Sequence, residues 1–451
     1  MIRLFSLSAA LLTVGCMPPS SLSSSGPLVS GGIRYQQTST RYPGGSGTWW
    51  KSFSDSMLNR EIDAALSGNL AQKQLSSRIR QAAASLRVEG AALFPQLDLT
   101  GNTSLDSLSS GDSDESASFG GLLSWEIDIF GRTRAGILAQ QNELIATIQD
   151  WLGGRLMLSA AVAETRFLTL EQRARLQILR NQIETNETLL DLVKTRVGQG
   201  VSSRVDLLQQ QRQLDATRTL VPAAEAELAA SEYALDVLTG RSPGSRQRDS
   251  RRTLPALPSN PGAGVPSDLL KNRPDLLAQW NRILALDARA GQALADRFPR
   301  FVIGASVDAG AIDSVRSVAS TILAEMAAPL TDGGARRAEI DRRRAVLEDA
   351  LLEYSNTYLE AIRDVETALV RERKQNERIR LTERQLATAR ETLDETRIRY
   401  SQGLTDYLPV IDALTATQTL ELSTLALRRE ALTLRVGLYR ALGGPMPKSQ
   451  P

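Results

Sequence analysis

The chain has no histidine and a single cysteine, Cys16, among its 451 residues. The first absence removes the commonest general base, the commonest metal ligand and every His-dependent triad. The second removes zinc clusters, disulfides and dithiol redox pairs. Enzymatic chemistry would have to run on carboxylates, Lys or Tyr, and no paired acids in a recognisable loop stand out, so neither catalysis nor a cofactor is expected. Neither sign of charge dominates: 53 Lys and Arg against 51 Asp and Glu leave a net +2, which gives no electrostatic case for nucleic acid. Aromatics make up only 5% of a chain that is 42% hydrophobic, a balance that favours long helices over a compact mixed core. Beyond the amino terminus no apolar run reaches the ~18 residues that a membrane helix requires. If this chain crosses a bilayer, it does so as strands.

Met1-Ile2-Arg3 and the apolar run from Leu4 to Val14 read as a secretory signal peptide, too short to span a bilayer as a mature helix. The run ends at Leu11-Leu12-Thr13-Val14-Gly15-Cys16, which resembles a bacterial lipobox with Thr13 where that motif usually has Leu. On this reading residues 1–15 are the signal peptide and Cys16 is the lipidated first residue of the mature chain. Met17 is not the Asp that retains lipoproteins at the inner membrane. Residues 16–47, rich in Ser, Gly and Pro, then form a lipid-anchored tether.

What is abundant is repetition. Arg196-Val197-Gly198-Gln199-Gly200-Val201 returns as Arg399-Tyr400-Ser401-Gln402-Gly403-Leu404, displaced by 203 residues (403 − 200). The same displacement carries Phe130-Gly131-Arg132-Thr133-Arg134 onto Gly333-Gly334-Ala335-Arg336-Arg337, and Leu238-Thr239-Gly240 onto Ala441-Leu442-Gly443. Shifted by one, Phe94-Pro95 returns as Phe298-Pro299. This is the signature of an ancient duplication of a long unit. It divides the chain into repeat 1 (48–240), a connector (241–266), repeat 2 (267–444) and a tail (445–451).

After Phe94-Pro95 the residues alternate. Leu97, Leu99, Gly101, Thr103 and Leu105 fall on one face, and Asp98, Thr100, Asn102, Ser104 and Asp106 on the other. Between Phe119 and Ile129 the residues Phe119, Leu123, Trp125, Ile127 and Ile129 oppose Ser124, Glu126 and Asp128. Period two over about ten residues suits a strand with one lipid-facing and one lumen-facing side. The polar stretch Ser107–Ser118 reads as the hairpin loop. Repeat 2 supplies Phe301, Ile303, Ala305, Val307 and Ala309 against Gly304, Ser306 and Asp308, then a weaker strand from Val318 to Ala328. Glu126, Asp128 and Asp308 are the candidate lumen acids. Soluble hairpins packed on helices would show the same alternation. Membrane barrels begin at about eight strands, so four strands per chain require partners, and the pattern alone does not choose between two chains and three.

From Arg134 to about Val197 the pattern is helical, with Leu176, Leu179, Ile183, Asn186, Leu190, Val193 and Val197 stepping by three and four. After the Gly198–Gly200 break, Leu207, Leu214, Val221, Leu228 and Leu235 form a heptad. Its alternate positions Gln210, Thr217, Ala224 and Ser231 are small or polar, a seam for close helix approach. Repeat 2 matches with Ile379, Leu386, Leu393 and Tyr400, before Leu408 and Ile411 open a return helix.

Several segments together resemble the TolC/NodT-type outer-membrane efflux factors, in their lipoprotein branch. They are Thr48-Trp49-Trp50-Lys51-Ser52-Phe53 with Asp55 and Leu58, Phe94-Pro95, and Trp125-Glu126-Ile127-Asp128-Ile129-Phe130-Gly131-Arg132. To these add Arg273-Pro274-Asp275, Phe298-Pro299, Pro329-Leu330 with Gly333-Gly334, Arg399-Tyr400 to Gly403, Leu408-Pro409-Val410-Ile411-Asp412-Ala413 and Leu442-Gly443-Gly444. The resemblance implies a mainly α fold with β. It implies a homotrimer whose twelve-stranded barrel, four strands per chain, is continued by a long periplasmic α-helical barrel, with an equatorial collar that includes the connector. It also implies passive export across the outer membrane, in contact with outer-membrane lipid, in partnership with a periplasmic adaptor (membrane fusion) protein and an inner-membrane pump of the RND type. An outer-membrane component of type I protein secretion and a non-channel coiled-coil envelope lipoprotein are the alternative readings.

Residue by residue, the resemblance places adaptor-docking tips at Gly198, Gly200, Val201, Gln402, Gly403 and Leu404. It makes Asp412 the constriction carboxylate and Leu408 the apolar ring one turn earlier. Asp206 and Tyr400 match positions that tie neighbouring helices shut. Where the family often has a second aspartate this chain has Pro409, and where it sometimes has a basic residue after Gly403 it has Thr405. One acidic ring, not two, is therefore expected.

Overall fold

The computed structural model describes residues 48–107, 113–245, 250–312 and 315–444. The expected signal peptide, Cys16, the expected tether and the tail lie outside the described residues. Repeat 1 opens with a 3-10 turn, Trp49–Phe53, and continues through α1 (Ser56–Gly68), α2 (Leu70–Ala91), β1 (Gln96–Ser107), β2 (Ser113–Ile127), α3 (Arg132–Gly198) and α4 (Arg204–Leu238). Repeat 2 contains α5 (Leu269–Asn272), α6 (Pro274–Ala295), β3 (Arg300–Ile312), β4 (Val315–Ala327), α7 (Ala335–Ser401) and α8 (Leu408–Ala441). The duplication is kept to the residue. Both α3 and α7 have 67 residues and start 203 apart (335 − 132), while α2 and α6 have 22 each and start 204 apart (274 − 70). At about 1.5 Å per residue, each long helix rises ~100 Å. Among the described residues no helix is long and apolar enough to cross a membrane.

The chain divides into two compact units. The first, built on Ser77–Gln149 and Leu277–Thr357, carries one antiparallel sheet in the order β1-β2-β3-β4. Its register extends the face assignment across all four strands. Leu99 pairs with Gly121, which pairs with Val307, which pairs with Ser320; one step along, Thr100, Gly120, Asp308 and Ala319 make a row on the opposite face. The apolar face is uncovered: Leu97, Leu99, Phe119, Val307, Val318 and Met326 are exposed, and Ile322 is 86% exposed. Hairpins whose apolar side is packed on the described helices of the same chain are thereby excluded. β1 and β4 each pair on one side only among the described residues.

Two expectations need correction here. The loop expected at Ser107–Ser118 is shorter, because β2 starts at Ser113 and pairs with Ser107. Ladder hydrogen bonds join backbone groups, so Ser, Asp and Glu extend the strands as well as apolar residues do. The weaker fourth strand is fully paired, from Val315 to Ala327 against β3. At the base of the sheet the Phe130 and Phe298 rings stack 4.7 Å apart, and the Trp125 indole donates to the Leu93 carbonyl at 3.0 Å.

The second unit comprises, among the described residues, 48–76, 150–245, 250–276 and 358–444. Its main core gathers Trp49, Trp50 and Phe53 against Leu58, Ile62, Phe167, Leu432 and Tyr439. Charges inside this core are paired. Asp55 caps α1 through the Met57 and Leu58 amides and also binds Arg166 at 2.7 Å, while Arg166 reaches Glu61 at 3.1 Å. Arg435 pairs with Glu372 and donates to the Pro258 and Ser259 carbonyls, holding the connector. The seam residues Gln210, Thr217, Ala224 and Ser231 are buried, whereas the heptad residues Leu207, Val221 and Leu228 are only half-buried. Leu214 and Leu235 of the same heptad are buried with them, so the small and polar positions share the packed side of α4 with alternate leucines.

Candidate functional site

Both hairpin tips are closed by the same device. At the end of α3 the Gly200 amide donates to the Val197 carbonyl (3.0 Å) and the Val201 amide to Arg196 (2.9 Å). At the end of α7 the Gly403 amide donates to Tyr400 (3.0 Å) and the Leu404 amide to Arg399 (2.9 Å). This nested pair of bonds requires a left-handed residue, and the two glycines have φ of 76° and 75°. The residue that follows such a glycine commonly packs back on its helix. Here Val201 is 59% and Leu404 71% exposed, and Gly198 and Gln402 are exposed as well. The six expected tip residues thus present apolar and backbone surface outward.

Below the tips the two hairpins share one core: Leu189 and Val193 from α3, Leu393 and Tyr400 from α7, and Tyr407, Val410, Ile411 and Leu414 at the start of α8. Tyr400 and Tyr407 lie with ring centres 5.3 Å apart. Asp206 and Tyr400, the two residues expected to tie neighbouring helices, are engaged separately. Asp206 closes a capping box with Ser203, its carboxylate accepting from the Ser203 amide at 3.0 Å while its own amide donates to Ser203 Oγ at 3.2 Å. The Tyr400 hydroxyl bonds Ser202 Oγ at 2.8 Å, from the end of α7 to the turn that closes the first hairpin.

A second polar chain, which no sequence pattern marks, lies one turn deeper. The Tyr407 hydroxyl donates to Gln210 Oε1, Gln210 Nε2 donates to the Asn186 carbonyl at 2.8 Å, and Asn186 Nδ2 donates to Thr217 Oγ1 at 3.0 Å. All four residues are buried, and burial, reinforced by Tyr400 and Asp206, raises the Tyr407 pKa. Its hydroxyl therefore stays protonated as the donor across the physiological range. Gln210, Asn186 and Thr217 were legible only as seam positions, and Tyr407 fell outside any motif.

Leu408 and Asp412 stand one turn apart on the exposed side of α8, opposite the buried Val410, Ile411 and Leu414. The first turn tolerates Pro409 because an amide there has no helical partner to lose. Asp412 is exposed and makes no hydrogen bond with any described residue.

A family model described as outer membrane efflux protein matches residues 62–241 and 265–444. The chain belongs to the outer membrane efflux protein family. The two matched blocks are the two repeats, each ending one residue past a glycine helix closure, Gly240 and Gly443. The pyoverdine export outer membrane protein OpmQ of Pseudomonas aeruginosa is 29% identical over 411 residues, covering 88% of this chain and 87% of that one. The cation efflux system protein CusC of Escherichia coli (strain K12) is 25% identical over 403 residues, covering 88% of each. Among solved structures, the outer-membrane channel OprN superposes with a TM-score of 0.83 at 26% identity, over 92% of this chain and 99% of that chain.

In this outer membrane efflux protein the three expected lumen acids part company. Glu126 lies on the polar face but is held by Arg132 through two bonds of 3.0 and 2.9 Å. Asp128 lies beyond the end of β2 and accepts from the Arg134 amide at 2.9 Å, at the first turn of α3. The helix start competes for that carboxylate because its amides have no other partner. Asp308 alone sits mid-strand on the polar face, over Gly120, where any side chain at 120 would collide with its carboxylate.

Proposed function

We propose that the chain is the outer-membrane channel of a tripartite efflux system, conducting substrates passively from an inner-membrane pump through a periplasmic adaptor. In this reading three copies join their sheets edge to edge into a twelve-stranded barrel, and the helical hairpins build the periplasmic tunnel. The pump is of the RND type. The adaptor docks on the exposed tips around Gly200-Val201 and Gly403-Leu404. Leu408 and Asp412 line the constriction as one apolar and one acidic ring, and Asp308 lines the barrel lumen. Cys16 carries the lipid anchor. The relatives are named for pyoverdine and for cations; cargo of either kind would be selected by the pump, and no catalysis is assigned to this chain.

The observation that carries this reading is the four-stranded sheet whose apolar face is uncovered and whose two edges are unpaired among the described residues, in a chain that belongs to the family. In lipid such edges leave backbone groups unsatisfied unless other chains close them. The purified protein should require detergent, have the mass of a trimer and form channels in planar bilayers. Asp412→Ala should lower cation selectivity and relieve block by multivalent cations, since it removes a ring of like charge from the pore. A water-soluble monomer without conductance would overturn the channel reading; unchanged selectivity in the variant would remove Asp412 from the constriction.

A further inference from the structure

The duplication makes Arg196 and Arg399 equivalent, yet they do different things. Arg399 is held by Glu395 on its own helix, one turn back, at 2.7 Å. The counterpart of Glu395 in repeat 1 is Leu192, so Arg196 has no carboxylate one turn back. Its guanidinium instead crosses to the other hairpin. It lies 4.5 Å from the centre of the Tyr400 ring, its Nη1 donates to the Ser401 carbonyl at 3.1 Å, and its Nε donates to Ser202 Oγ at 3.3 Å. A Cβ built on Gly403 would stand 4.0 Å from the same guanidinium. The Ser202 hydroxyl completes the ring of contacts by bonding Tyr400.

We propose that Arg196 is a positioning residue for the channel: an intrachain clamp that fastens the tip of the second hairpin, which carries Leu408 and Asp412, to the tip of the first. The chemistry suits the task. A planar guanidinium can stack on a ring and bond a carbonyl and a hydroxyl in the same plane, whereas a lysine ammonium cannot hold all three. The Ser401 carbonyl belongs to the last residue of α7 and lacks a helical partner, so the cation also satisfies an orphaned acceptor at the negative end of that helix. The buried Tyr407–Gln210–Asn186 chain holds the hairpins together from inside, but it is sealed. Arg196, half-buried at the tip, is the contact that an outside event can release.

This inference rests on the channel reading, and the experiment separates the two. Wild type, Arg196→Ala, Arg196→Lys, Tyr400→Phe and Arg399→Ala are purified as full chains, checked for equal oligomeric mass and equal helical signal, and recorded in planar bilayers. Loss of a cation–π contact and two hydrogen bonds should raise open-channel occupancy or mean conductance in Arg196→Ala by about fivefold or more. Arg196→Lys should recover only part of the wild-type behaviour. Tyr400→Phe, which keeps the ring and loses the Ser202 bond, should fall between wild type and Arg196→Ala. Arg399→Ala, bonded within its own helix, should match wild type. Conducting wild type with unchanged Arg196→Ala would overturn the clamp alone; non-conducting wild type would overturn the channel reading and the clamp with it. If Arg196→Ala and Arg399→Ala rise equally, the effect is general helix-end destabilisation and the clamp is likewise overturned.

Discussion

A glycine that closes a helix can be needed for its dihedral angles alone or also for the space it leaves. Gly403 and Gly443 both have positive φ, 75° and 85°. Around Gly403 a Cβ would meet nothing closer than 4.0 Å, whereas at Gly443 it would lie 2.7 Å from the Asn272 carbonyl oxygen and 2.9 Å from Arg273 Cα. Those are backbone atoms and cannot step aside. Gly403→Ala should therefore cost about 1–2 kcal/mol, the penalty for a side chain in the left-handed region. Gly443→Ala should cost clearly more, and thermal unfolding in detergent would show the larger drop in melting temperature for Gly443→Ala. The closure at Gly443 abuts the start of α6, where Arg273 donates to the Ala441 carbonyl at 3.3 Å. Repeat 1 has the same arrangement with a neutral partner, Asn69 donating to the Leu238 carbonyl at 2.9 Å.

At the scale of the element, the buried ion cluster fastens α1 to α3. Arg166, Asp55 and Glu61 all have side chains at most 5% exposed. Removing Arg166 takes the buried cation away from both carboxylates, at about 3–5 kcal/mol, although Asp55 keeps its bond to the more exposed Arg251 at 3.0 Å. Arg166→Leu should be that destabilising by denaturant or thermal unfolding. The double variant Arg166→Leu/Glu61→Leu should recover part of the loss, because it also removes a carboxylate that faced Arg166. An additive loss in the double variant would mean that Arg166 acts through packing and not through its charge.

Elements were legible wherever side chains repeat with the backbone. The alternation around Leu97 and Ile303 marked the sheet faces, the glycines marked the helix reversals, and Gln210, Thr217, Ala224 and Ser231 marked the close seam. Strand ends were not legible, because β2 continues to Ser113 on backbone pairing that leaves no mark in side-chain type. Asp128 read as strand because it kept the alternation, yet an unsatisfied helix amide drew it out of the lumen set. Cross-hairpin contacts such as Tyr407 to Gln210 join residues that no periodicity relates. The Arg196 clamp was half visible. The repeat that aligned it with Arg399 also showed Leu192 opposite Glu395, and that difference leaves Arg196 free to cross.

For the molecule as a whole, the sheet with two free edges makes folding a matter of chemical kinetics. Everything else the chain needs is internal: two matched repeats, two hairpin closures and paired charges in the core. No described residue supplies the bonds missing at β1 and β4, so on the channel reading they form by collision with another chain. Refolding from denaturant into detergent should therefore show helical signal returning at a rate independent of protein concentration, and resistance of the sheet to protease returning more slowly on dilution. Equal rates at all dilutions would mean that one chain completes its sheet unaided. Until that collision occurs, each chain carries two strand edges able to pair with any extended segment nearby, a hazard that grows with the square of the concentration of unassembled chains. Supply of this protein must then be matched to the capacity that delivers and assembles it, since a surplus competes with correct assembly.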